Sequence, residues 1–264
     1  MARREASAQS SAPGAAGADG GLADNRRAAA LASRQSGWRT RELLRVAIRE
    51  QFQGRIALVS SFGADSAVLL HLVAGIDPDL PVIFLDTGKI FAQTHRYRAD
   101  LVGRFGLTDL RVARPDSARL GRDDPAGTLW QHDPDACCGA RKVAPLAHAL
   151  GEFDAWISGR KRFQGGERSD LPLVEADGDK IKINPLANWT ADDIAVYQKL
   201  HDLPAHPLVA EGFFSIGCEP CTDRAFGDEG AGYNPRQGRW RGRDRTECGI
   251  QLGLDQFAAQ GSGI

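Results

Sequence analysis

Short apolar runs and stretches of helical periodicity alternate along most of the chain. From Trp38 to Gln53, apolar side chains fall at Leu43, Leu44, Ala47, Ile48 and Phe52, close to the i, i+3, i+4 spacing of a one-sided helix. Arg55 to Ser61 then carries the compact run Ile56-Ala57-Leu58-Val59, which predicts a short buried strand, followed by a glycine-containing turn and an apolar helix over Ala67 to Val73. The alternation repeats: Pro81 to Thr87 predicts a strand, Phe91 to Phe105 a helix, Asp109 to Ala113 a strand, Cys138 to Leu150 a helix and Asp154 to Ser158 a strand. Lys180 to Ile183 alternates charged and apolar residues, the pattern of an edge strand with one solvated face. Thr190, with Asp193 three residues later, forms a capping-box pattern that opens a helix through Leu200.

Strands alternating with helices imply right-handed crossovers, so the expected fold is α/β with a doubly wound, mainly parallel sheet. Beyond Leu203 the chain turns rich in Gly, Pro, Arg and Cys with little periodicity, which predicts a loop-rich C-terminal tail. At 264 residues and 42% hydrophobic side chains there is material for one sizeable core. The 33 Lys and Arg nearly cancel the 34 Asp and Glu, a balance that points to neither a nucleic-acid nor a membrane-surface partner. No apolar run reaches the ~18 residues of a membrane span, and the N-terminus lacks the apolar stretch of a secretion signal, so the expected location is cytoplasmic. Residues 1–36 are mostly Ala, Ser, Gly and Arg and read as a disordered leader; Glu5, Asp19 and Asp24 weaken a reading as an organellar transit sequence. The expected organisation is therefore a leader (1–36), one nucleotide-binding domain (37–240) and a flexible tail (241–264).

In an open parallel sheet, ligands sit beyond the carboxyl ends of the strands, and three polar segments fall at such ends. Ser60-Ser61-Phe62-Gly63-Ala64-Asp65-Ser66 follows the first strand and opens a helix, so its amide and hydroxyl groups can surround an anion at the positive helix end. Asp86-Thr87-Gly88 follows the second strand, and Gly159-Arg160-Lys161-Arg162 brings cations from a later one. Taken alone the Ser/Gly loop is equally an ordinary strand-to-helix turn; convergence of three loops favours a binding site. No Gly-Lys-Ser/Thr follows, so γ-phosphoryl transfer is disfavoured.

Five cysteines in a chain of this kind argue for metal binding or catalysis rather than a disulfide framework. Cys137 and Cys138 are adjacent, and Cys218-Glu219-Pro220-Cys221 is a C-x-x-C about eighty residues on. Four thiolates suit tetrahedral zinc or a 4Fe-4S cluster, with two redox pairs as a third option; adjacent thiolates fit the usual zinc knuckle spacing poorly. Cys248 is left over. It lies in Arg243-Asp244-Arg245-Thr246-Glu247-Cys248-Gly249, among cations that favour a thiolate.

Ser61 to Ser66 resembles the pyrophosphate-loop pattern Ser-Gly-Gly-x-Asp-Ser of adenine nucleotide alpha-hydrolase-like proteins, with Phe62 replacing the first Gly. Within that superfamily, Leu85-Asp86-Thr87-Gly88, Cys137-Cys138 and Glu247-Cys248-Gly249 together look like the assimilatory adenosine 5′-phosphosulfate (APS) reductases, a resemblance running from about Trp38 to Leu252. It implies thioredoxin-dependent reduction of APS to sulfite and AMP in sulfate assimilation, through an S-sulfocysteine on Cys248, with a glutathione/glutaredoxin system as the alternative reductant. It implies one 4Fe-4S cluster on Cys137, Cys138, Cys218 and Cys221. Lys142 would lie between cluster and substrate, with Arg141 beside it moderating the cluster's negative charge. Arg168, Arg236 and Arg239 match substrate-contacting arginines, the first only with a one-residue gap. With Ser60, Ser61, Phe62, Gly63, Asp65, Ser66, Asp86, Thr87, Gly88, Gly159 and Arg160 from the three loops, they make up the expected substrate set. Two departures stand out: Gln251 replaces the usual His of Glu-Cys-Gly-Leu-His, and Asp65-Ser66 looks closer to reductases of 3′-phosphoadenosine-5′-phosphosulfate (PAPS), so PAPS stays open as a substrate. An ATP pyrophosphatase-type ligase or thiolase shares the loop but gives Cys248 no task, and a zinc-stabilised RNA module lacks basic and aromatic surface. The sequence does not set the oligomeric state, a homo-oligomer included.

Overall fold

The structure, a computed structural model, describes residues 39–225, 236–240, 242, 247 and 249–251. The expected leader, Trp38, most of the expected tail and Cys248 lie outside these residues. The chain opens with helix α1 (residues 39–46), which widens into a π turn over Ala47–Gln51. Six strands follow: β1 (Ile56–Val59), β2 (Val82–Leu85), β3 (Leu110–Ala113), β4 (Ala155–Ile157), β5 (Val174–Asp177) and β6 (Lys180–Ile183). Between and after them run α2 (Ser66–Ala74), α3 (Ala92–Phe105), α4 (Ser117–Asp123), α5 (Leu129–His132), α6 (Pro134–Cys138), α7 (Ala144–Ala149) and α8 (Ala191–Leu200). The sheet order is β3-β2-β1-β4-β6-β5, parallel throughout except for the antiparallel β5–β6 pair. The doubly wound, mainly parallel sheet expected from the sequence is thus the one observed.

Alternation along the strands divides the core into two layers. Ile56, Leu58, Val82 and Phe84 face one side, where α1, α2, α3 and α8 contribute Leu44, Val68, Leu72, Leu101 and Ile194. Ala57, Ile83, Leu85 and Trp156 face the other and pack on Leu146 and Leu150 of α7 and its C-cap, and on Phe153. Strands buried on both faces need continuous apolar runs, which is why β1, β2 and β4 were legible in the sequence. The Thr190 capping box also forms: Asp193 N–H donates to Thr190 Oγ1 (3.1 Å) and Thr190 N–H to Asp193 Oδ2 (2.9 Å).

One expectation is corrected. Lys180–Ile183 is not the edge strand and has no solvated face at Lys182, which is buried at 2% exposure. The edge belongs to β5, joined to β6 through a tight hairpin at Gly178, whose φ of 65° lies in the left-handed region glycine favours. Among the described residues, no helix is long and apolar enough to cross a membrane.

Candidate active site

The strand order reverses between β1 and β4: β2 and β3 extend one way from β1, β4, β6 and β5 the other. Crevices at such switch points, outside the carboxyl ends, are where α/β sheets bind ligands. Register places Leu58 beside Ile157, so the loops leaving β1 and β4 emerge side by side. Between them lies a cavity of about 200 Å³. Its wall takes Ser60, Ser61, Gly63, Asp65 and Ser66 from the first loop, Gly159 and Arg160 from the second, and Lys142, Arg168, Arg236 and Arg239 from elsewhere. Eleven of the fifteen expected substrate-contacting residues therefore converge. Among the described residues its lining carries six cations, Lys142, Arg160, Lys161, Arg168, Arg236 and Arg239, against one carboxylate, Asp65. Asp65 is held by Lys161 (3.1 Å), and Arg160 and Arg168 have carboxylate partners outside the lining in Glu175 and Glu247, so cations outnumber carboxylates on the wall itself. Leu69, Leu186, Phe214 and Ile216 supply apolar wall.

The four that do not line the cavity divide in two. Phe62 is fully buried, its ring edge-on to Phe84 with centroids 5.6 Å apart, so only its backbone serves the loop. Its φ of 47° is left-handed, the conformation that suits the glycine normally found there. Asp86, Thr87 and Gly88 turn instead toward the cysteines or the surface. Asp86 pairs with Arg114 at 3.3 Å, and Thr87 Oγ1 lies 3.2 Å from Cys218 Sγ. Gly88 (φ 70°) passes close to the Arg141 guanidinium, which donates through Nη1 to Thr87 O (2.9 Å).

Cys137 and Cys138 end α6, which Asp133 caps by accepting from Ala136 N–H (2.9 Å). The helix continues as a π turn, Gly139–Val143. Pro145 has no N–H to offer the Arg141 carbonyl, a local cause for the widened turn. Arg141 is buried and hydrogen-bonds Asp124 through Nη2 (2.7 Å), while its neighbour Lys142 reaches the crevice. Burial alone would raise the pKa of Asp124, but the hydrogen bonds from Arg141 and the Leu129 N–H, with the charges of Arg141 and Lys89, together outweigh it and hold the carboxyl below its ordinary value. Cys218 caps the turn Glu219–Cys221 and Cys221 ends it, the turn being fixed by Glu219 N–H donating to Lys89 O (2.8 Å).

All four thiols border one small cavity of about 20 Å³, with Trp130, Pro134, Pro220, Trp240, Lys89, Arg141 and Lys142. Burial pushes the Cys137 thiol up; Arg141 opposes this, and Cys218 and Cys221 add to it. Among the described residues, no three His, Cys, Asp or Glu side chains stand close enough to hold a single metal ion. The donor set, four sulfurs around an apolar space flanked by cations, suits a thiolate-bound metal group rather than an oxygen-seeking ion. Cys218, Lys142 and Trp240 line both cavities, so the thiol site and the crevice share a wall.

The C-terminal residues close this wall. Arg239 pairs with Thr222 as an antiparallel bridge, donates through Nε to Cys221 O (3.1 Å), and stacks on Trp240 at 4.4 Å. Gly217 leaves room for it, because a Cβ there would lie 2.5 Å from the Arg239 guanidinium. Glu247 is buried and receives Arg168 and Arg236. Sequence reading missed Phe214 to Gly217, Gln164 and the role of Glu247 toward the arginines; only the glycine before Cys218 hinted at the first. It placed Arg162 among the loop cations, yet Arg162 donates away from the crevice, to Leu171 O (2.8 Å).

A doubly wound sheet with a cationic crevice at its switch point and four thiols behind one wall defines a nucleotide-binding α/β protein equipped for sulfur chemistry. The chain belongs to the phosphoadenosine phosphosulfate reductase domain family, which matches residues 55–224. It is 54% identical over 211 residues to an adenosine 5′-phosphosulfate reductase of Mesorhizobium japonicum, covering 80% of this chain and 82% of that one. A protein of the same name from Chelativorans sp. (strain BNC1) is 50% identical over 200 residues, covering 76% and 80%. Among solved structures, a phosphoadenylyl-sulfate reductase from Candida auris, in complex with phosphate, superposes with a TM-score of 0.58 at 25% identity, covering 69% of this chain and 88% of that one.

Proposed function

We propose that this chain reduces adenosine 5′-phosphosulfate to sulfite and AMP in the cytoplasm, with Cys248 as nucleophile and thioredoxin, or a glutathione-dependent equivalent, as reductant. The observation that carries this reading is the shared wall: a crevice suited to a nucleotide anion lies against a four-thiol site, joined by Lys142 and Cys218. The Ser60–Ser66 loop at the start of α2 would take the α-phosphate on its N–H groups and hydroxyls. Lys142, Arg236 and Arg239 would face the sulfonate end, where charge builds as the S–O bond breaks.

The thiolate of Cys248 attacks the sulfonyl sulfur; an S–S bond forms, the S–O bond to the phosphate breaks, and AMP leaves with that electron pair. One thiol of the reductant then attacks Cys248 Sγ and sulfite departs with the S–S electrons. The second thiol resolves the mixed disulfide, so the dithiol is oxidised and Cys248 returns to its starting state. Cys137, Cys138, Cys218 and Cys221 would hold one 4Fe-4S cluster, which supplies a fixed anionic centre outside this electron count. Arg141, locked to Asp124 and Thr87, orients the backbone around those thiols.

The decisive experiment replaces Cys248 by Ser. The variant is expected to keep iron-sulfur absorbance and APS affinity while losing turnover, and wild type mixed with APS and no reductant should gain one sulfonate on the Cys248 peptide by mass spectrometry. An adduct elsewhere, or substantial activity in Cys248→Ser, sinks the mechanism. The second reading is PAPS reduction, favoured by Asp65-Ser66 in the loop. APS should show the higher kcat/KM, and a PAPS preference would replace the assignment.

A further inference from the structure

Glu247 lies one peptide bond before Cys248 and carries no task in the chemistry above. It is buried at 4% exposure, although a buried carboxylate is costly unless paired. Arg168 donates to both of its oxygens, through Nε to Oε1 and through Nη2 to Oε2 (2.8 Å), the fork geometry that gives arginine–carboxylate pairs their directional strength. Arg236 Nη2 adds a third contact to Oε2 at 3.3 Å. Arg168 is itself held from behind, its Nη1 donating to Gln164 Oε1. Arg168, Arg236 and Gln164 all line the crevice, whereas Glu247 does not. The carboxylate therefore grips the cations without occupying the ligand's space. On the other side of Cys248, Gly249 is buried, and Ile250 lines the crevice and packs on the group formed by Cys138 and Trp240.

We propose that Glu247 is a positioning residue: its ion pairs with Arg168 and Arg236 tie the peptide leading to Cys248 to the same arginines that border the anion site. Nucleophilic attack needs the thiolate aligned with the sulfur–oxygen bond, and misplacement by about 1 Å costs on the order of 100-fold in rate. This role rests on the reading of Cys248 as the nucleophile.

The test uses the cluster-loaded full chain and Glu247→Gln, which keeps the side chain's shape and removes its charge. Two quantities are read: the single-turnover rate of Cys248 sulfonation at saturating APS without reductant, and the Kd for AMP. The rate is expected to fall roughly 10- to 100-fold, while AMP binds equally well or a few-fold tighter, because two arginines lose their counter-charge. A merely unfolded or loosened protein would lose affinity as well. Glu247→Asp should recover part of the rate, and Arg168→Ala combined with Glu247→Gln should be slowed less than the product of the two single effects. An unchanged rate in Glu247→Gln overturns the proposal. So does a faster one, which would mean that the carboxylate competes with the substrate. Absence of any Cys248 adduct in wild type would overturn this role together with the reading on which it rests, whereas a normal wild-type adduct with an unaffected variant removes only the role of Glu247.

Discussion

Phe62 shows how a single residue can break a local rule and be retained by its surroundings. A left-handed backbone costs a non-glycine residue about 1–2 kcal/mol, and φ at Phe62 is 47°. Its fully buried ring, packed edge-on against Phe84, stabilises by more than that, since deleting a buried Phe side chain typically costs 3–5 kcal/mol. Phe62→Gly restores the loop pattern found in related pyrophosphate loops, yet it is expected to lower stability by roughly 2–4 kcal/mol. Urea unfolding at constant m-value checks the sign. A gain in stability would show that the backbone strain outweighs the packing.

At the scale of elements, β6 carries its unexpected feature at Lys182. Its ammonium sits 4.5 Å from the Trp156 ring centroid and 3.7 Å from Glu175, and burial, aided by the charge of Arg160, lowers its pKa from 10.5 to about 8. With the folded value below the unfolded one, the unfolded chain binds more protons between pH 8 and 10.5, so this group's contribution to stability rises with pH across that window. At pH 7 the buried charge is a net cost, because Glu175 already has Arg160 and Asn184 as partners. Lys182→Met is expected to leave the protein equally stable or about 1–3 kcal/mol more stable at pH 7, with the advantage shrinking as pH rises toward 10.5. Thermal melts of both proteins at pH 7 and above 9 test this; destabilisation of the variant at pH 7 would show that the pair with Glu175 contributes more than its desolvation costs. The alternating pattern of Lys180 to Ile183 revealed a strand but not its place. Period-two alternation says that one face is polar and leaves open whether water or Trp156 and Glu175 meet it. The neighbouring β5 escaped notice because Val174-Glu175-Ala176-Asp177 is short and acidic, although the Gly178-Asp179 turn after it is a hairpin signal.

At the scale of the molecule, the thiol site ties distant parts of the chain together. Cys137 and Cys138 come from α6, Cys218 and Cys221 from a turn bridged to Ile90 after β2, and Trp240 from the C-terminal residues. A group bound to all four thiols would therefore stabilise the closed wall as well as the site, since binding to the folded state alone shifts the folding equilibrium. Cys218→Ser, purified anaerobically, is expected to lose iron and sulfide together and to melt several degrees below wild type. About four iron and four sulfide per wild-type chain is the matching expectation. Stoichiometric zinc in wild type would refute it.

The sequence by itself determined the architecture: strands buried on both faces demand uninterrupted apolar runs, and those runs, spaced by amphipathic helices, admit little besides a doubly wound sheet. It also singled out the loops at the strand ends and the cysteine pairs, because anion cradles and thiolate ligands require particular residue types at close spacing. What only the tertiary structure decided is which side chains meet across long separations. Burial turned Lys182 inward and placed Phe62 in the core, and the Asp124 partner drew Arg141 off the surface. The union of Arg168 and Arg236 on Glu247 spans up to 79 residues. Such pairings arise when chain closure takes charges out of water and they must find partners within the fold, and no local pattern encodes that.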